Sequence, residues 1–361
     1  MRKRVVVAMS GGVDSSTTAW ILKEKGYEVI GAMMCIGVMD KAQGGPARCC
    51  GLADIEDARR AALQLEIPFY VFHLRDEFEK EVIQYFCEEY AKGRTPNPCI
   101  LCNERVKFGS FLAKVLELEA DFFSTGHYAR LEFDKGTKRY LLKKGVDRKK
   151  DQSYVLFSLK QEQFRKILFP LGEYRKEEVR KKAFQIGLRV HNKPESQEVC
   201  FIQDTTYHPF LFERLKESIE AGPIIDQEGK VLGKHKGIPF YTIGQRRGLR
   251  LAKGRPLYVT GIDREKNAII VGDEEEVYGE AFIVDTVHWI PFEKMLSPLS
   301  AQVKIRYNHP GSEATLSPKG EDEVEVRFKS PQKAITPGQA AVFYDGESVL
   351  GGGWIKEVIK S

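Results

Sequence analysis

Between an apolar run, Val5-Val6-Val7-Ala8-Met9, and the segment Thr17-Thr18-Ala19-Trp20-Ile21-Leu22-Lys23, the chain inserts Ser10-Gly11-Gly12-Val13-Asp14-Ser15-Ser16. That order reads as a buried strand, a tight glycine turn and a helix N-terminus, the unit from which parallel α/β sheets are built. Backbone N–H groups in such a turn point at an anion, and the helix dipole favours negative charge there. Two glycines let the backbone approach phosphate oxygens where a Cβ would collide. The lysine of the G-x-x-x-x-G-K-[ST] loop is missing, so the cradle is of another kind. The plain alternative is a glycine-rich βα turn without a ligand.

The alternation continues to about Ile202. Tyr27–Met34 and Phe69–Leu74 read as strands, Asp54–Leu65 and Glu77–Lys92 as helices, then Glu104–Glu117 as a helix and Asp121–Thr125 as a strand. A doubly wound parallel sheet with helices on both faces follows, with ligands beyond the carboxyl ends of its strands. The Ser10 loop and Gly126-His127 both fall at such ends. After about Thr205 the texture becomes β-rich, with a short helix near Pro209–Ser218 and turn signals at 226–229, 232–233, 260–261 and 271–272. Strands are expected at Phe282–Ile290, Ala301–Tyr307, Glu323–Phe328, Ala340–Tyr344 and Gly353–Val358, the spacing of a small barrel or sandwich. The expected domains are 1–205, 206–280 and 281–361.

No stretch approaches the roughly 20 apolar residues of a membrane span. Met1-Arg2-Lys3-Arg4 leads straight into the first strand, without a signal or transit pattern, so a cytoplasmic location is expected. A net charge of +5 says little by itself, because a polyanion can be held by local patches. Seven cysteines in such a protein point to reactive or metal-binding thiols rather than disulfides.

Two cysteine segments stand out. Gly93-Arg94-Thr95-Pro96-Asn97-Pro98-Cys99-Ile100-Leu101-Cys102-Asn103 reads as an exposed loop, since two prolines exclude a helix interior. Its C-x-x-C suits a redox pair, half a zinc site or part of an iron–sulfur site. Cys200, in Ser196-Gln197-Glu198-Val199-Cys200-Phe201-Ile202, would by itself be read as a core thiol. Cys35, Cys49 and Cys50 read as structural or incidental, and Cys87 as core. Basic residues cluster at 143–150 and in Gln245-Arg246-Arg247-Gly248-Leu249-Arg250, as a solvated face or as phosphate contacts.

S-G-G-x-D-S closely resembles the signature of the ATP pyrophosphatases, in which ATP adenylates a substrate oxygen and pyrophosphate leaves. In combination with T-P-N-P-x-I-L-C-N, T-G-H-Y, K-D-Q-S-Y, x-C-F-I, G-Q-R-x-G-L and T-P-G-Q-x-A-V-F-Y, the chain resembles the bacterial tRNA-specific 2-thiouridylase family over nearly its whole length. The family replaces the 2-oxygen of the tRNA wobble uridine with sulfur. The resemblance implies an adenine nucleotide α hydrolase-like sheet followed by two smaller β-rich domains, the last a β-barrel.

It also implies roles. Ala8, Met9, Ser10, Gly11, Gly12, Val13, Asp14 and Ser15 would cradle ATP, with Met34 and Gly126 lining the site and Asp14 serving catalysis. Asn97, Pro98 and Cys99 would approach the target base. Cys102 would be the nucleophilic or persulfide-resolving cysteine, and Cys200 would carry the incoming persulfide. His127, Lys150, Asp151, Gln152, Arg306, Tyr307 and Gln339 would contact tRNA, and Arg246 and Arg247 join them on charge. Magnesium is expected with ATP, and a cysteine desulfurase or a persulfide relay protein would donate sulfur.

Many family members carry aspartate where this chain has Cys99. Three thiolates, Cys99, Cys102 and Cys200, can hold a 4Fe–4S cluster with one iron free for sulfide, and the cluster is the expectation favoured over a persulfide relay. The other readings are another ATP pyrophosphatase, such as a 2-thiocytidine synthetase or an amidotransferase-type ligase, and a non-catalytic RNA-binding or sulfur-carrier protein.

Overall fold

A computed structural model describes residues 2–37, 52–194, 199–202, 206–251 and 254–359. Cys49, Cys50 and Ser196-Gln197-Glu198 lie outside the described residues.

The first sheet contains β1 (Arg4–Ala8), β2 (Glu28–Cys35), β3 (Phe69–His73), β4 (Phe122–Ser124) and β7 (Ile167–Leu168), all parallel, in the order β3-β2-β1-β4-β7. The central strand β1 is covered on both faces, which is why its interior reads as an unbroken valine run. Val5 and Val7 pack with α1 (Val13–Glu24), α2 (Leu52–Gln64) and Val179 and Ala183 of the helix Lys176–Gln185. Val6 packs the other way, among Phe78, Val82, Phe108, Phe111 and Phe123. The chain winds from β1 toward β3 on one side and places β4 on the other. The carboxyl ends of β1 and β4 therefore flank the switch point where such sheets bind ligands.

The sequence reading missed the hairpin β5 (Ala129–Asp134) and β6 (Arg139–Lys144), paired from Ala129↔Lys144 to Asp134↔Arg139. It extends the C-terminal sheet through the pair Ser348↔Lys143. The basic run beginning at Lys143 thus starts on a strand. Several of its cations have internal partners: Lys143 pairs with Glu132, Arg148 with Glu347, and Lys144 Nζ lies 4.4 Å from the Tyr344 ring centre.

Strands β8 (Gly222–Ile225), β9 (Val231–His235), β10 (Tyr258–Asp263) and β11 (Ala268–Gly272) form a sheet in the order β10-β11-β8-β9 over a small core of Ile224, Val259, Ile269 and Val271. Strands β12 (Tyr278–Trp289), β13 (Leu299–Lys304), β14 (Ser312–Pro318), β15 (Val324–Lys333), β16 (Ala340–Asp345) and β17 (Ser348–Ile359) follow. The β12–β17 pairing closes these six into an antiparallel barrel, filled by Phe282, Val303, Leu316, Val326, Phe343 and Ile355. The expected α/β domain followed by β-rich units and a final barrel is the architecture observed. Strand β14 was absent from the expectation. Among the described residues, no helix is long and apolar enough to cross a membrane.

Candidate active site

The turn after β1 is shaped for an anion. Gly11 has φ of +71°, and a Cβ there would stand 2.4 Å from the Asp54 carbonyl oxygen. Gly12 caps α1 without a side-chain acceptor, so the first-turn N–H groups are not taken by a capping side chain. Ser15 Oγ instead braces the loop, accepting from Ser10 N at 3.1 Å and donating to Gly12 O at 3.3 Å. Thr17 and Thr18 are buried in the helix because their hydroxyls donate to Val13 O and Asp14 O. A Cβ on Gly126 would meet Asp14 Cβ and Ser15 N at 3.1 Å, so the segment after β4 closes against the same loop. Ala8–Ser15 and Gly126 are thereby gathered. Met34 lies on β2, two residues beyond Ala32, the register partner of Ala8. Uncapped amides in a cradle that side chains would fill fit a polyphosphate.

Three lysine and tyrosine side chains that sequence reasoning missed frame this loop. Lys176 Nζ lies 2.8 and 2.7 Å from the two Asp14 oxygens, and Tyr128 Oη donates to Asp14 Oδ1 at 2.7 Å. Lys193 Nζ donates to Gly11 O at 3.0 Å and to Asp54 and Asp57 at 2.7 Å each. Burial opposes the Lys193 charge, but hydrogen bonds to the two aspartates outweigh it and raise its pKa. Tyr128 closes the T-G-H-Y motif, whereas no motif marks Lys176 or Lys193, which lie 162 and 182 residues from the positions they hold.

The C-x-x-C segment corrects the loop expectation. Asn97 caps a helix, accepting from Cys99 N at 3.2 Å, and Pro98 occupies its first turn, where a missing N–H costs nothing. Helix Pro98–Leu101 continues through the π-type turns of Cys102–Phe111 into Leu112–Leu116. Cys99 and Cys102 therefore sit on consecutive turns of a helix start. Cys102 is buried and Cys99 reaches the surface. Low solvation pushes the Cys99 thiol up to about 11 and that of Cys102 to about 12. Cys200 adds to both shifts by charge repulsion, and Lys107 opposes them, so the three sulfurs and Lys107 share one neighbourhood. Phe201 anchors Cys200 by packing against Phe78 and Phe86, with ring centres 5.8 and 5.2 Å away. Among the described residues, however, no three His, Cys, Asp or Glu side chains converge as a metal site. The structure therefore gives no support to the expected 4Fe–4S ligand set of Cys99, Cys102 and Cys200.

The expected RNA contacts divide. Arg246, Arg247, Arg306 and Tyr307 are exposed. His127 is buried between Phe108 and Phe169, with Nδ1 2.7 Å from Thr125 Oγ1, and offers almost no surface to RNA in this conformation. Burial and Lys107 hold its pKa well below the usual histidine value. Asp151 builds its own loop, accepting from Gly145 N and from Ser153 N and Oγ. Gln152 Oε1 accepts from Tyr128 N at 3.0 Å, and Lys150 is half-buried beside them. Gln339 Nε2 donates to Thr95 O at 2.9 Å, so it grips the loop that leads to Asn97.

Family models match three successive parts of the chain: the tRNA methyl transferase HUP domain over residues 3–204, the tRNA methyl transferase PRC-barrel domain over 208–273 and the aminomethyltransferase beta-barrel domain over 279–355. The chain is 52% identical to the tRNA-specific 2-thiouridylase MnmA of Halothermothrix orenii, covering 98% of this chain and 99% of that one. It is 51% identical to MnmA 1 of Caldanaerobacter subterraneus subsp. tengcongensis over the full length of both, and 47% identical to MnmA of Clostridium acetobutylicum over 99% and 100%. Likeness of this degree, spanning nucleotide loop, cysteine segments and barrel together, leaves one assignment: the chain belongs to the tRNA-specific 2-thiouridylase family.

Proposed function

We propose that this protein is an ATP-dependent sulfurtransferase that converts the wobble uridine of tRNA to 2-thiouridine in the cytoplasm. Full-length identity to the 2-thiouridylases carries the reading, and the pairing of an anion-binding turn with a thiol pocket supports it. Ala8–Ser15, Met34 and Gly126 bind the nucleotide, and Asp14 acts on the ATP phosphates. Magnesium accompanies ATP, with the phosphates as its principal ligands. Asn97, Pro98 and Cys99 face the target base.

The chemistry balances through a persulfide. The uridine C2 oxygen attacks the α-phosphorus and pyrophosphate leaves. Loop amides hold the charge that develops on it. The terminal sulfur of a Cys200 persulfide then adds to C2 and AMP departs. Cys102 thiolate attacks the Cys200 sulfur; the electrons of the broken S–S bond pass to the sulfur on C2, and N3 regains its proton. The product is 2-thiouridine with a Cys102–Cys200 disulfide, which an external thiol reduces. A cysteine desulfurase or a relay protein reloads Cys200.

Nucleoside analysis of tRNA incubated with protein, ATP and a sulfur source tests the reading. Expected are 2-thiouridine with equimolar AMP and pyrophosphate, loss of thiolation in Cys102→Ser and Cys200→Ser, and retained thiolation in Cys99→Asp. Thiolation of cytidine, or ATP-independent transfer, would overturn the function. Activity that tracks bound iron and disappears in Cys99→Asp would overturn the persulfide route alone.

A further inference from the structure

The β5–β6 hairpin begins at the nucleotide site, immediately after Gly126, His127 and Tyr128, and carries its tip away from it. Six residues of strand place that tip about 20 Å further on. There an open pocket of ≈ 530 Å³ is lined by Phe133, Lys135, Lys138, Tyr140 and Arg165. Its floor is aromatic: the Phe133 and Tyr140 rings are 5.0 Å apart at an angle of 56°, and Phe133 is 48% exposed.

The pocket is held in shape. Asp134 closes the turn by accepting from Gly136 N at 2.9 Å and Thr137 Oγ1 at 2.7 Å, which engages both its oxygens. Gln161 fixes Tyr140 from the other side, accepting from its N–H at 2.8 Å and donating to its carbonyl at 3.0 Å. Arg165 follows directly on the short helix Gln161–Phe164. Neighbouring cations are neutralised, as Lys143 is by Glu132 and Arg139 by Glu293. Lys135, Lys138 and Arg165 have no ion-pair partner among the described residues. Lys138 also has φ of +56°, a conformation that glycine or asparagine adopts at lower cost, so a cationic side chain is kept there against backbone preference.

We propose that this pocket is a second RNA contact of the enzyme, remote from the reacting uridine. An unpaired base stacks on the exposed Phe133 ring, which Tyr140 supports, and Lys135, Lys138 and Arg165 take the flanking phosphates. Unneutralised cations around exposed aromatic faces are the chemistry of single-stranded RNA recognition rather than of an apolar protein interface. The proposal rests on tRNA being the substrate.

Direct binding of wobble-uridine tRNA, titrated with salt, tests it on the full chain. The triple variant Lys135→Gln, Lys138→Gly, Arg165→Gln is expected to bind about tenfold more weakly at 0.1 M salt, with the log–log salt slope reduced by about 2 to 3. Phe133→Ser alone is expected to weaken binding about tenfold through lost stacking. Lys138→Gly alone should melt no lower than the parent, because glycine suits that backbone, and still bind tRNA more weakly. ATP KM should stay unchanged in all of them. Unaltered tRNA affinity and slope would overturn the proposal. So would unaltered tRNA binding with slower thiolation from a protein persulfide donor but not from a small-molecule persulfide, which would make the pocket a protein-docking site. Failure of the functional reading is seen separately, as absence of 2-thiouridine with the parent protein.

Discussion

Asp14 is held between two long-range partners, and that arrangement determines what the nucleotide loop can do. A carboxylate beside a phosphate site would repel ATP. Lys176, almost fully buried, places its charge on both Asp14 oxygens and leaves the pair close to neutral. Lys176→Met is expected to lower kcat/KM for ATP about 100-fold in a tRNA-dependent pyrophosphate assay, with the circular dichroism spectrum retained. Loss confined to tRNA KM would instead separate Lys176 from the nucleotide. The thiols obey a different balance. With Cys102 pushed up to about 12, roughly one part in a hundred thousand is thiolate at neutral pH. Its alkylation by iodoacetamide should rise about tenfold per pH unit from pH 7 to 10, because only the thiolate reacts. Lys107→Ala should slow it further by removing a cation that favours the thiolate. A rate that levels off near pH 8.5 would mean an ordinary thiol.

At the scale of elements, the barrel is bonded to the segment that leads into the cysteine-bearing helix. Thr95 N donates to Pro337 O at 2.9 Å, Gln339 returns a bond to Thr95 O, and a Cβ on Gly338 would stand 2.9 Å from Thr95 N. The turn before β17's partner strand β16 thus fixes the loop that aims Asn97, Pro98 and Cys99. Gln339→Ala is expected to reduce thiolation kcat about tenfold while tRNA affinity changes less than twofold, the split of a positioning residue rather than an RNA contact. The nucleotide turn is equally intolerant. Gly11→Ala forces both a left-handed backbone, costing about 1–2 kcal/mol, and a clash with Asp54 O, so ATP binding and melting temperature should fall together.

Across the whole molecule, His127, His208, His235, His288 and His309 are all held below the usual histidine pKa by burial. Each takes up a proton less readily in the fold than in the unfolded chain, so the stability they contribute is complete above about pH 6.5 and is lost as pH falls. Melting temperature should therefore drop from pH 7 to pH 5, and less so in His127→Phe. Arg246 and Arg247 are exposed; if they hold tRNA phosphates, replacing both with glutamine should weaken tRNA binding and lower the salt slope by about 2, without moving ATP affinity. Local patterns made much of this legible. An unbroken valine run before two glycines is compatible with little except a doubly covered strand feeding an anion-binding turn, and the cysteine spacings are written in order. What remained hidden depends on chain segments far apart in sequence. Asn97 and Pro98 were read as loop because proline was judged as a breaker, while only the cap bond to Cys99 N shows that it starts a helix. His127 looked like a surface contact until Phe108 and Phe169 closed over it. Sequence alone determined the first strand, the glycine turn after it and the spacing of the cysteines, because backbone conformation and side-chain chemistry are local. Tertiary structure alone decided which charges neutralise one another and which polar groups are buried, because Lys176, Tyr128, Lys193 and Gln339 act only where folding carries them beside residues more than a hundred positions away.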